Sequence, residues 1–340
     1  MNKDLNYYLP KFLDIQLKQN MNVSENTIIS YKYTFISLLQ YMSNYLKKKI
    51  QNIAINDFNK LTIEEYLNYL ELEKKNSIST RNQRLAAIKS FFNYLATEDL
   101  KYLNIANEIS AIKTKKNIDN SIKYLSKTGI KEILALPNTS TKNGVRDLAI
   151  LTLLYDSAAR VQELIKLKCC DINLEKKIVY LNGKGRKQRV VPLVSSTIKI
   201  INKYMKLFEL NENSTNLLFF NARNEPLTRM GINYIINKYV SVAKNNNPIE
   251  FQIKVSPHTF RHSKAMHLLE SGVNLIYIRD FLGHSSVTTT EIYAKTNPEI
   301  KRKAIEKHSE NLTKRVHYTR EQKDDLLEWL KRDLKKNSNF

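Results

Sequence analysis

The sequence of 340 residues contains only two cysteines, Cys169 and Cys170, and they are adjacent. Neighbouring cysteines rarely form a disulfide with each other, so we expect a reducing, cytoplasmic environment. The N-terminal stretch MNKDLNYYLPKFLDIQLKQN carries charges throughout and lacks the apolar core of a signal peptide. The longest apolar run, from Leu148 to Tyr155, is broken only by Thr152 and is far shorter than the ~20 residues that span a bilayer. The sequence therefore predicts a soluble protein with no membrane partner.

Acidic residues are scarce relative to basic ones, with 33 Asp and Glu against 55 Lys and Arg, a net charge of +22. A polyanion partner is the simplest interpretation, with nucleic acid ahead of a membrane surface. The alternative is an A/T-rich genome that loads the surface with lysine, because charge describes association rather than fold. The length suits two domains and allows a substantial apolar core without disulfides.

Residues 1–112 are predicted to form a compact helical domain. Ser24 is a candidate cap for a helix whose apolar residues recur at three- and four-residue steps. Two capping-box patterns predict further helices, and they comprise Thr62 with Glu65 and Thr80 with Gln83.

Three basic residues, Arg81, Arg84 and Lys89, are placed on the face opposite the apolar stripe of the last of these helices. They are candidates for nucleic-acid contacts, and an ordinary solvated face is the alternative. The polar, basic and aperiodic stretch 113–123 is predicted to be the inter-domain linker.

Residues 124–310 are predicted to form a second, mixed domain in which helix dominates. Ile178–Leu181 and Val190–Leu193 flank an Asn-Gly turn and so predict a β-hairpin, and Leu217–Phe220 is a candidate for one more short strand. The hairpin turn is basic, with Lys184, Arg186, Lys187 and Arg189. It is either a solvated tip or a nucleic-acid contact, and a lysine there is suited to donate a proton to a phosphate leaving oxygen. The role of the tail, 311–340, stays open; it could contact a neighbouring protomer.

Ser256-Pro257 is a strong signal for a helix start, with Ser at the cap and Pro in the first turn. His258 and Arg261 then lie on one face of that turn, where positive charge opposes the helix dipole. A bound anion would offset this cost, and pairing of Arg261 with a surface carboxylate is the alternative. Arg160 follows an apolar helix and precedes Glu163 by three residues, a spacing that also fits a plain ion pair.

Gly283 is a candidate for the residue that ends a helix, and His284 follows it. A histidine there could simply complement the dipole. Tyr293 is one of 19 tyrosines. A phenol is a poor nucleophile at neutral pH, so a catalytic tyrosine needs cations and a proton acceptor nearby. Taken singly, each of these residues has an ordinary structural explanation.

The ordered set resembles the tyrosine recombinases, the phage-integrase-type site-specific recombinases, from about residue 5 to about residue 308. The catalytic motifs are Arg160-Val161-Gln162-Glu163-Leu164, Gly183-Lys184-Gly185, His258-Thr259-Phe260-Arg261-His262, Leu282-Gly283-His284 and Tyr293. In the N-terminal half, Thr80-Arg81-Asn82-Gln83-Arg84-Leu85 and Phe91-Phe92-Asn93-Tyr94-Leu95 resemble the core-binding domain of that family. Ser157-Ala158-Ala159 departs from the Thr-Gly-Leu that more often precedes the first arginine, and Gln162 stands where Ser is frequent.

The resemblance implies a C-shaped, two-domain DNA clamp: a helical core-binding domain and a catalytic domain that is mainly α with a small β-hairpin or sheet. Tyr293 would attack a phosphate to give a 3′-phosphotyrosyl link, while Arg160 and Arg261 hold its oxygens. His258 would be the general base, His284 a hydrogen-bond donor to the phosphate, and Lys184 the proton donor to the leaving oxygen. Glu163 would position Arg160, and both Glu163 and His262 would support the catalytic side chains without contacting the phosphate.

The resemblance also implies that neither metal nor ATP is needed. The expected partner is double-stranded DNA with specific recombination sites. The protein is expected to act on it as a homotetramer, or with a related recombinase as co-protomer, at the nucleoid in a bacterial cytoplasm. Integration or excision of a mobile element and resolution of replicon dimers both fit. The rivals are a type IB topoisomerase, a non-cleaving regulator and a zinc protein that uses His258 and His262; the adjacent cysteines cannot both reach one tetrahedral zinc ion.

Overall fold

The computed structural model describes residues 4–116, 122–183, 188–221 and 223–284, together with 290, 291, 293, 328 and 331. The chain divides into two compact units, Met1–Asp119 and Asn120–Phe340. As predicted, the protein is mostly helical, and the described residues form one small antiparallel sheet. Among these residues no helix is both long and apolar enough to cross a membrane.

The regular secondary structure of the first unit is all helical within the described residues. Its main helices are α1 (Leu5–Pro10), which continues as a π-helical stretch (Lys11–Asn20), α2 (Glu25–Leu46), α3 (Lys60–Leu72), α4 (Ile78–Glu98) and α5 (Leu103–Ser110). Aromatic rings bind these helices into one core, in which Phe12 contacts Phe35 and Phe91 edge to face. Such contacts explain why a domain of this size folds without disulfides.

Helix starts in this unit lie close to the predicted positions. Ser24 precedes α2 as predicted. The cap of α3 is Asn59, whose side chain accepts from the Thr62 amide at 2.9 Å, and the cap of α4 is Ser77, which accepts from the Thr80 amide at 3.2 Å. Thr62 and Thr80, predicted as caps, are instead the third residues of their helices, because better-placed cap side chains stand three positions earlier.

The second unit surrounds a larger core with seven helices in its described part. They are α6 (Lys127–Ala135), α7 (Lys142–Asp156), α8 (Val161–Ile165), α9 (Ser195–Leu207), α10 (Arg229–Asn246), α11 (Pro257–Glu270) and α12 (Leu275–Leu282). The apolar run predicted as a buried helix lies in α7, where Leu151, Leu153 and Leu154 are fully buried. Burial on all sides explains why this run lacks the one-sided periodicity of a surface helix.

The sheet has the order β1-β2-β3, from β1 (Ile172–Asn173), β2 (Ile178–Asn182) and β3 (Gln188–Pro192). The antiparallel pairing of β2 with β3 confirms the predicted hairpin, with Leu181 opposite Arg189. The strand predicted at Leu217–Phe220 is wrong, since this stretch makes only isolated bridges at its two ends. The third strand is β1, which is too short for alternation to reveal in the sequence.

A smaller apolar cluster packs α11 and α12 together. Met266 and Leu269 of α11 meet Ile278 and Leu282 of α12, and the ring of Tyr293 lies in the same cluster. The local apolar packing therefore brings Tyr293 to the helix that carries His258 and Arg261.

Candidate active site

The start of α11 presents three functional side chains. The Ser256 side chain accepts from the Thr259 amide, and Pro257 occupies the first turn, as predicted. His258 is exposed, Arg261 is 4% exposed, and His262 is half-buried. The helix thus carries a charged side chain inward, where it must find partners within the protein.

Arg261 meets this requirement through two main-chain oxygens. Its guanidinium donates to the carbonyl of Ala158 at 2.6 Å and to the carbonyl of Leu282. Burial, with the charges of Arg160 and Arg189, lowers the pKa of Arg261 to about 9, so the group stays cationic at neutral pH. The predicted alternative, pairing with a surface carboxylate, does not fit a buried side chain that donates to carbonyls.

Ala158 has a left-handed backbone, with φ of 47°, and is fully buried. This conformation is uncommon outside glycine because the Cβ atom crowds the backbone. It turns the carbonyl of Ala158 toward Arg261, two residues before Arg160, the cap residue of α8. The departure from Thr-Gly-Leu therefore leaves the glycine-like turn in place with a methyl group on it.

Glu163 links Arg160 to a second arginine. Arg160 donates to Glu163 Oε1 at 2.9 Å through its guanidinium and to Oε2 at 2.8 Å through its backbone amide. Arg189 makes two parallel bonds to the same carboxylate, each of 2.8 Å. Burial alone would raise the pKa of Glu163, but the hydrogen bonds and charge of Arg189, together with two hydrogen bonds from Arg160, lower it. Glu163 is therefore a carboxylate at neutral pH.

Three arginines donate hydrogen bonds to main-chain carbonyls at the C-terminal end of α12. Arg189 donates from Nε to the carbonyl of Phe281 at 3.1 Å, Arg261 donates to that of Leu282, and Arg160 donates to that of Gly283 at 3.2 Å. The last carbonyls of a helix lack partners within it and form the negative end of its dipole. A left-handed Gly283, with φ of 64°, ends α12 as predicted.

Tyr293 is 1% exposed, and its hydroxyl lies 2.9 Å from Nδ1 of His262. Burial raises the pKa of Tyr293, while the charges of Arg261 and Arg160 act in the opposite direction. Burial and the neighbouring His258 and Arg261 lower the pKa of His262 to about 4. At neutral pH an uncharged imidazole therefore faces a protonated phenol. Among the described residues, it is His262 and not His258 that hydrogen-bonds the Tyr293 hydroxyl.

His284 lies on the other side of the tyrosine, with its ring parallel to that of Tyr293 and the ring centres 6.5 Å apart. Its Nδ1 is 3.0 Å from Oγ1 of the fully buried Thr290. Burial, with the charges of Arg261 and Arg160, lowers the pKa of His284 to about 4. The same arginines that would attract a phosphate thus keep this imidazole neutral.

The predicted residues of the hairpin turn, Lys184, Arg186 and Lys187, lie outside the described part of the chain. Arg189, predicted with them as a DNA contact, has a side chain that is 10% exposed and occupied by Glu163 and Phe281. Its placement favours a role inside the protein. Sequence reasoning missed this role, although Arg189 and the buried Val191 share one face of β3.

The three basic residues predicted on α4 also bind the protein itself. Arg81 is 5% exposed, and its guanidinium reaches the carbonyl of Lys113 at 3.2 Å. Arg84 donates to the carbonyl of Tyr33 at 3.1 Å, and Lys89 donates to the carbonyls of Ser110 and Ile112. The contacts of Arg81 and Lys89 hold the end of α5 and the segment after it against α4, and the contact of Arg84 joins α4 to α2.

The placement of Arg81 and Lys89 does not support their predicted role as DNA contacts. Residues 113 and 115, predicted as part of the linker, are held to the first unit. Arg81 bonds the carbonyl of Lys113, and the side chain of Asn82 bonds the main chain of Lys115. No group of three or more metal-binding side chains clusters within the described residues.

Known proteins match this chain over most of its length. Residues 123–299 match the phage integrase family, and residues 11–99 match the N-terminal SAM-like domain of phage integrases. The chain is 33% identical to the tyrosine recombinase XerD of Staphylococcus haemolyticus, an alignment that covers 83% of this chain and 90% of the relative. It is 30% identical to the tyrosine recombinase XerC of Pelotomaculum thermopropionicum, over 88% and 97% of the two chains.

The chain belongs to the phage integrase family of tyrosine recombinases. The resemblance drawn from the motifs is thereby confirmed, and the protein is an enzyme of site-specific recombination that cuts and rejoins DNA strands. The fold agrees with this family. The Tn1549 transposon integrase, solved in complex with transposon right end DNA, has a TM-score of 0.67 at 16% identity, over 88% of this chain and 99% of the other.

Proposed function

We propose that this recombinase cuts double-stranded DNA with Tyr293 as the nucleophile. The hydrogen bond of 2.9 Å between its hydroxyl and a neutral His262 carries the proposal, because a phenol of raised pKa needs an acceptor for its proton. Attack on the scissile phosphate would form a bond between the phenolic oxygen and phosphorus and break the bond to the 5′-oxygen. The product is a 3′-phosphotyrosyl link.

His262 is the residue that we infer to accept the phenolic proton, in place of the His258 implied by the family resemblance. Nδ1 accepts when the hydrogen of the neutral ring is on Nε2. The exposed His258 stands one turn away on α11, with its ring centre 6.4 Å from that of His262. There it is suited to contact the bound phosphate, as is His284 from the opposite side of Tyr293.

Arg160 and Arg261 are the groups that we infer to stabilise charge on the phosphate. Preorganised cations act most strongly where water is excluded, and Arg261 is 4% exposed. The side chain of Arg160 is 38% exposed and has donors beyond those that Glu163 and Gly283 receive. Lys184 is proposed to protonate the leaving 5′-oxygen, a role carried over from the family motif.

DNA with specific recombination sites is the proposed partner. The net charge of +22 supports it, as does the fold shared with the Tn1549 transposon integrase, which was solved in complex with transposon right end DNA. We further propose paired strand exchange by a homotetramer, or with a related recombinase as co-protomer, in the bacterial cytoplasm. Integration or excision of a mobile element and resolution of replicon dimers both remain compatible with this chemistry.

A nicked suicide substrate tests the proposal. A nick just beyond the cleavage position lets the 5′-hydroxyl fragment diffuse away, so the covalent adduct accumulates and migrates slowly in a denaturing gel. Wild type should form the adduct in the presence of a metal chelator, and Tyr293→Phe should form none. An adduct that survives Tyr293→Phe would place the nucleophile elsewhere, and relaxation of plasmids without any recombination site would favour topoisomerase activity.

A further inference from the structure

We propose that Arg189 is a positioning residue, which neutralises Glu163 so that the charge of Arg160 remains directed at the phosphate. The proposal rests on the proposed function, since it concerns the same phosphate. It assigns to Arg189 a role different from the DNA contact that the basic hairpin suggested. Three contacts of Arg189, all within the described part of the second unit, carry it.

The first contact is the paired bond to Glu163. Two parallel bonds of 2.8 Å occupy both oxygens of the carboxylate, the strongest geometry available to an arginine and a carboxylate. The guanidinium of Arg160 is left with a single hydrogen bond to this carboxylate, at Oε1. Without Arg189, a carboxylate that is 4% exposed would have Arg160 as its main counter-charge and would draw that guanidinium into a paired bond of its own.

The second contact is the bond from Nε of Arg189 to the carbonyl of Phe281. It places Arg189 on the same helix end that receives Arg261 and Arg160. The cluster therefore contains three guanidiniums and one carboxylate around the negative end of α12. An excess of positive charge remains, and Arg160, with its side chain 38% exposed, is the member most open to a ligand.

The third contact is with Gly283, where a Cβ atom would lie 2.9 Å from Cδ of Arg189. The arginine stem thus packs directly on the residue that precedes His284 and accepts from Arg160. A lysine in place of Arg189 keeps the positive charge but has a single nitrogen. It cannot make the paired bond to Glu163 and also bond the carbonyl of Phe281.

The test measures single-turnover formation of the covalent adduct on three versions of one nicked substrate. The first has a normal scissile phosphate. The second has a methylphosphonate, which removes one negative charge from the non-bridging oxygens. The third has a 5′-bridging sulfur, whose thiolate leaves without needing a proton. The variants are Arg189→Lys and Arg189→Gln, with Arg160→Lys as a positive control.

Arg146→Lys is the matched structural control. Arg146 donates two hydrogen bonds to one oxygen, Oδ1, of the buried Asp147 carboxylate, and within the described residues it donates none to Glu163 or α12. It should alter stability without a substrate-dependent change in the cleavage rate. Thermal unfolding of each variant shows whether the protein is folded.

We expect Arg189→Lys to slow cleavage of the normal phosphate by about 10- to 100-fold, as a small misplacement of a catalytic group does. Affinity for uncleaved DNA should stay within about threefold, because the contact is not with DNA. The defect should shrink on the methylphosphonate, as for Arg160→Lys, and should persist on the bridging sulfur. In a double-mutant cycle with Glu163→Gln, the two effects should not add.

An equal defect on all three substrates would overturn the proposal in favour of a purely structural role. Rescue by the bridging sulfur would place Arg189 with the leaving-group proton donor instead. Weaker DNA binding with an unchanged cleavage rate would restore the predicted DNA contact. These results differ from failure of the proposed function itself, in which wild type forms no adduct on the normal phosphate.

Discussion

The hydroxyl of Tyr293 lies 2.9 Å from Nδ1 of His262, a histidine one residue beyond the buried Arg261. The two side chains come from positions far apart in the sequence and meet because an apolar cluster packs the tyrosine against α11 and α12. His262 therefore contacts the tyrosine from the position next to Arg261 on one helix.

Cleavage should depend on pH in a way that reports the state of His262. Its pKa is lowered to about 4, so the imidazole stays neutral, and able to accept a proton, well below the ordinary histidine range. The rate of adduct formation should change little between about pH 7.5 and about pH 5.5. It should fall only as the pH approaches the lowered pKa of His262 in the folded protein. Rapid-quench measurement of adduct formation across this range checks it.

His262→Ala and His258→Ala separate the two histidines in the same assay. We expect the larger loss, about 100-fold or more, from His262→Ala, as expected for a general base. Circular dichroism at each pH controls for acid unfolding. A rate that falls near the ordinary histidine pKa of about 6.5 in wild type would contradict the lowered pKa of His262. A larger loss in His258→Ala than in His262→Ala would assign the proton acceptor to His258.

Gly283→Ala should destabilise the protein and slow cleavage. The added Cβ would lie 2.9 Å from Cδ of Arg189, at a residue with φ of 64°. We expect a cost of about 1–3 kcal/mol in the free energy of unfolding, from left-handed strain and overpacking. Gly272→Ala is the matched control, since Gly272 also has positive φ but nothing lies within 4 Å of its Cβ position. Chemical denaturation of both variants should show the greater loss for Gly283→Ala, and only that variant should lose cleavage rate.

Ala158→Gly and Ala158→Val should have opposite consequences at a left-handed residue. Glycine relieves the backbone strain but loses a buried methyl group and gains freedom in the unfolded chain, so we expect a net change within about 1 kcal/mol. Valine should cost well over about 2 kcal/mol, since a β-branched residue at positive φ is strongly disfavoured. Valine should also slow adduct formation, because the carbonyl of Ala158 accepts from Arg261. Normal cleavage by folded Ala158→Val would mean that this carbonyl does not position Arg261.

Lys89→Met should weaken the first unit without changing its electrostatic contact with DNA. Lys89 donates to the carbonyls of Ser110 and Ile112, and losing these bonds should cost about 1–3 kcal/mol. The slope of log binding constant against log salt should equal that of wild type, whereas loss of a phosphate contact would reduce it by about one. The exposed Lys60, at the start of α3, supplies Lys60→Met as a stability control. A reduced slope with unchanged stability would restore Lys89 as a DNA contact.

Local signals in the sequence were sufficient for much of the architecture. The hairpin, the Ser256-Pro257 helix start and the Gly283 helix end were all predicted, because each depends on residues within a few positions of one another. The starts of α3 and α4 were predicted three residues late, because the caps are Asn59 and Ser77 rather than Thr62 and Thr80. The strand at Leu217–Phe220 was predicted from an apolar run alone, which does not distinguish a strand from a buried irregular segment.

The placements of Arg81 and Arg189 show what charge alone does not reveal and where spacing would have helped. Arg81 precedes Leu85 by four residues and Ile88 by seven, so it lies on the apolar face of α4 rather than opposite to it. Arg189 shares the inward face of β3 with Val191. The partners themselves, such as Glu163 for Arg189, depend on tertiary packing and have no local signature.

The oxygens that gather Arg160, Arg189 and Arg261 at the end of α12 belong to peptide groups rather than to side chains. No substitution can delete a peptide oxygen, so changing Phe281 or Leu282 to another residue of similar size leaves the acceptors where they are. The three arginines depend on the path of the main chain through Phe281, Leu282 and Gly283. Tolerance at this point should follow backbone conformation, and a proline or a shift of one residue in the turn should do more harm than a change of polarity.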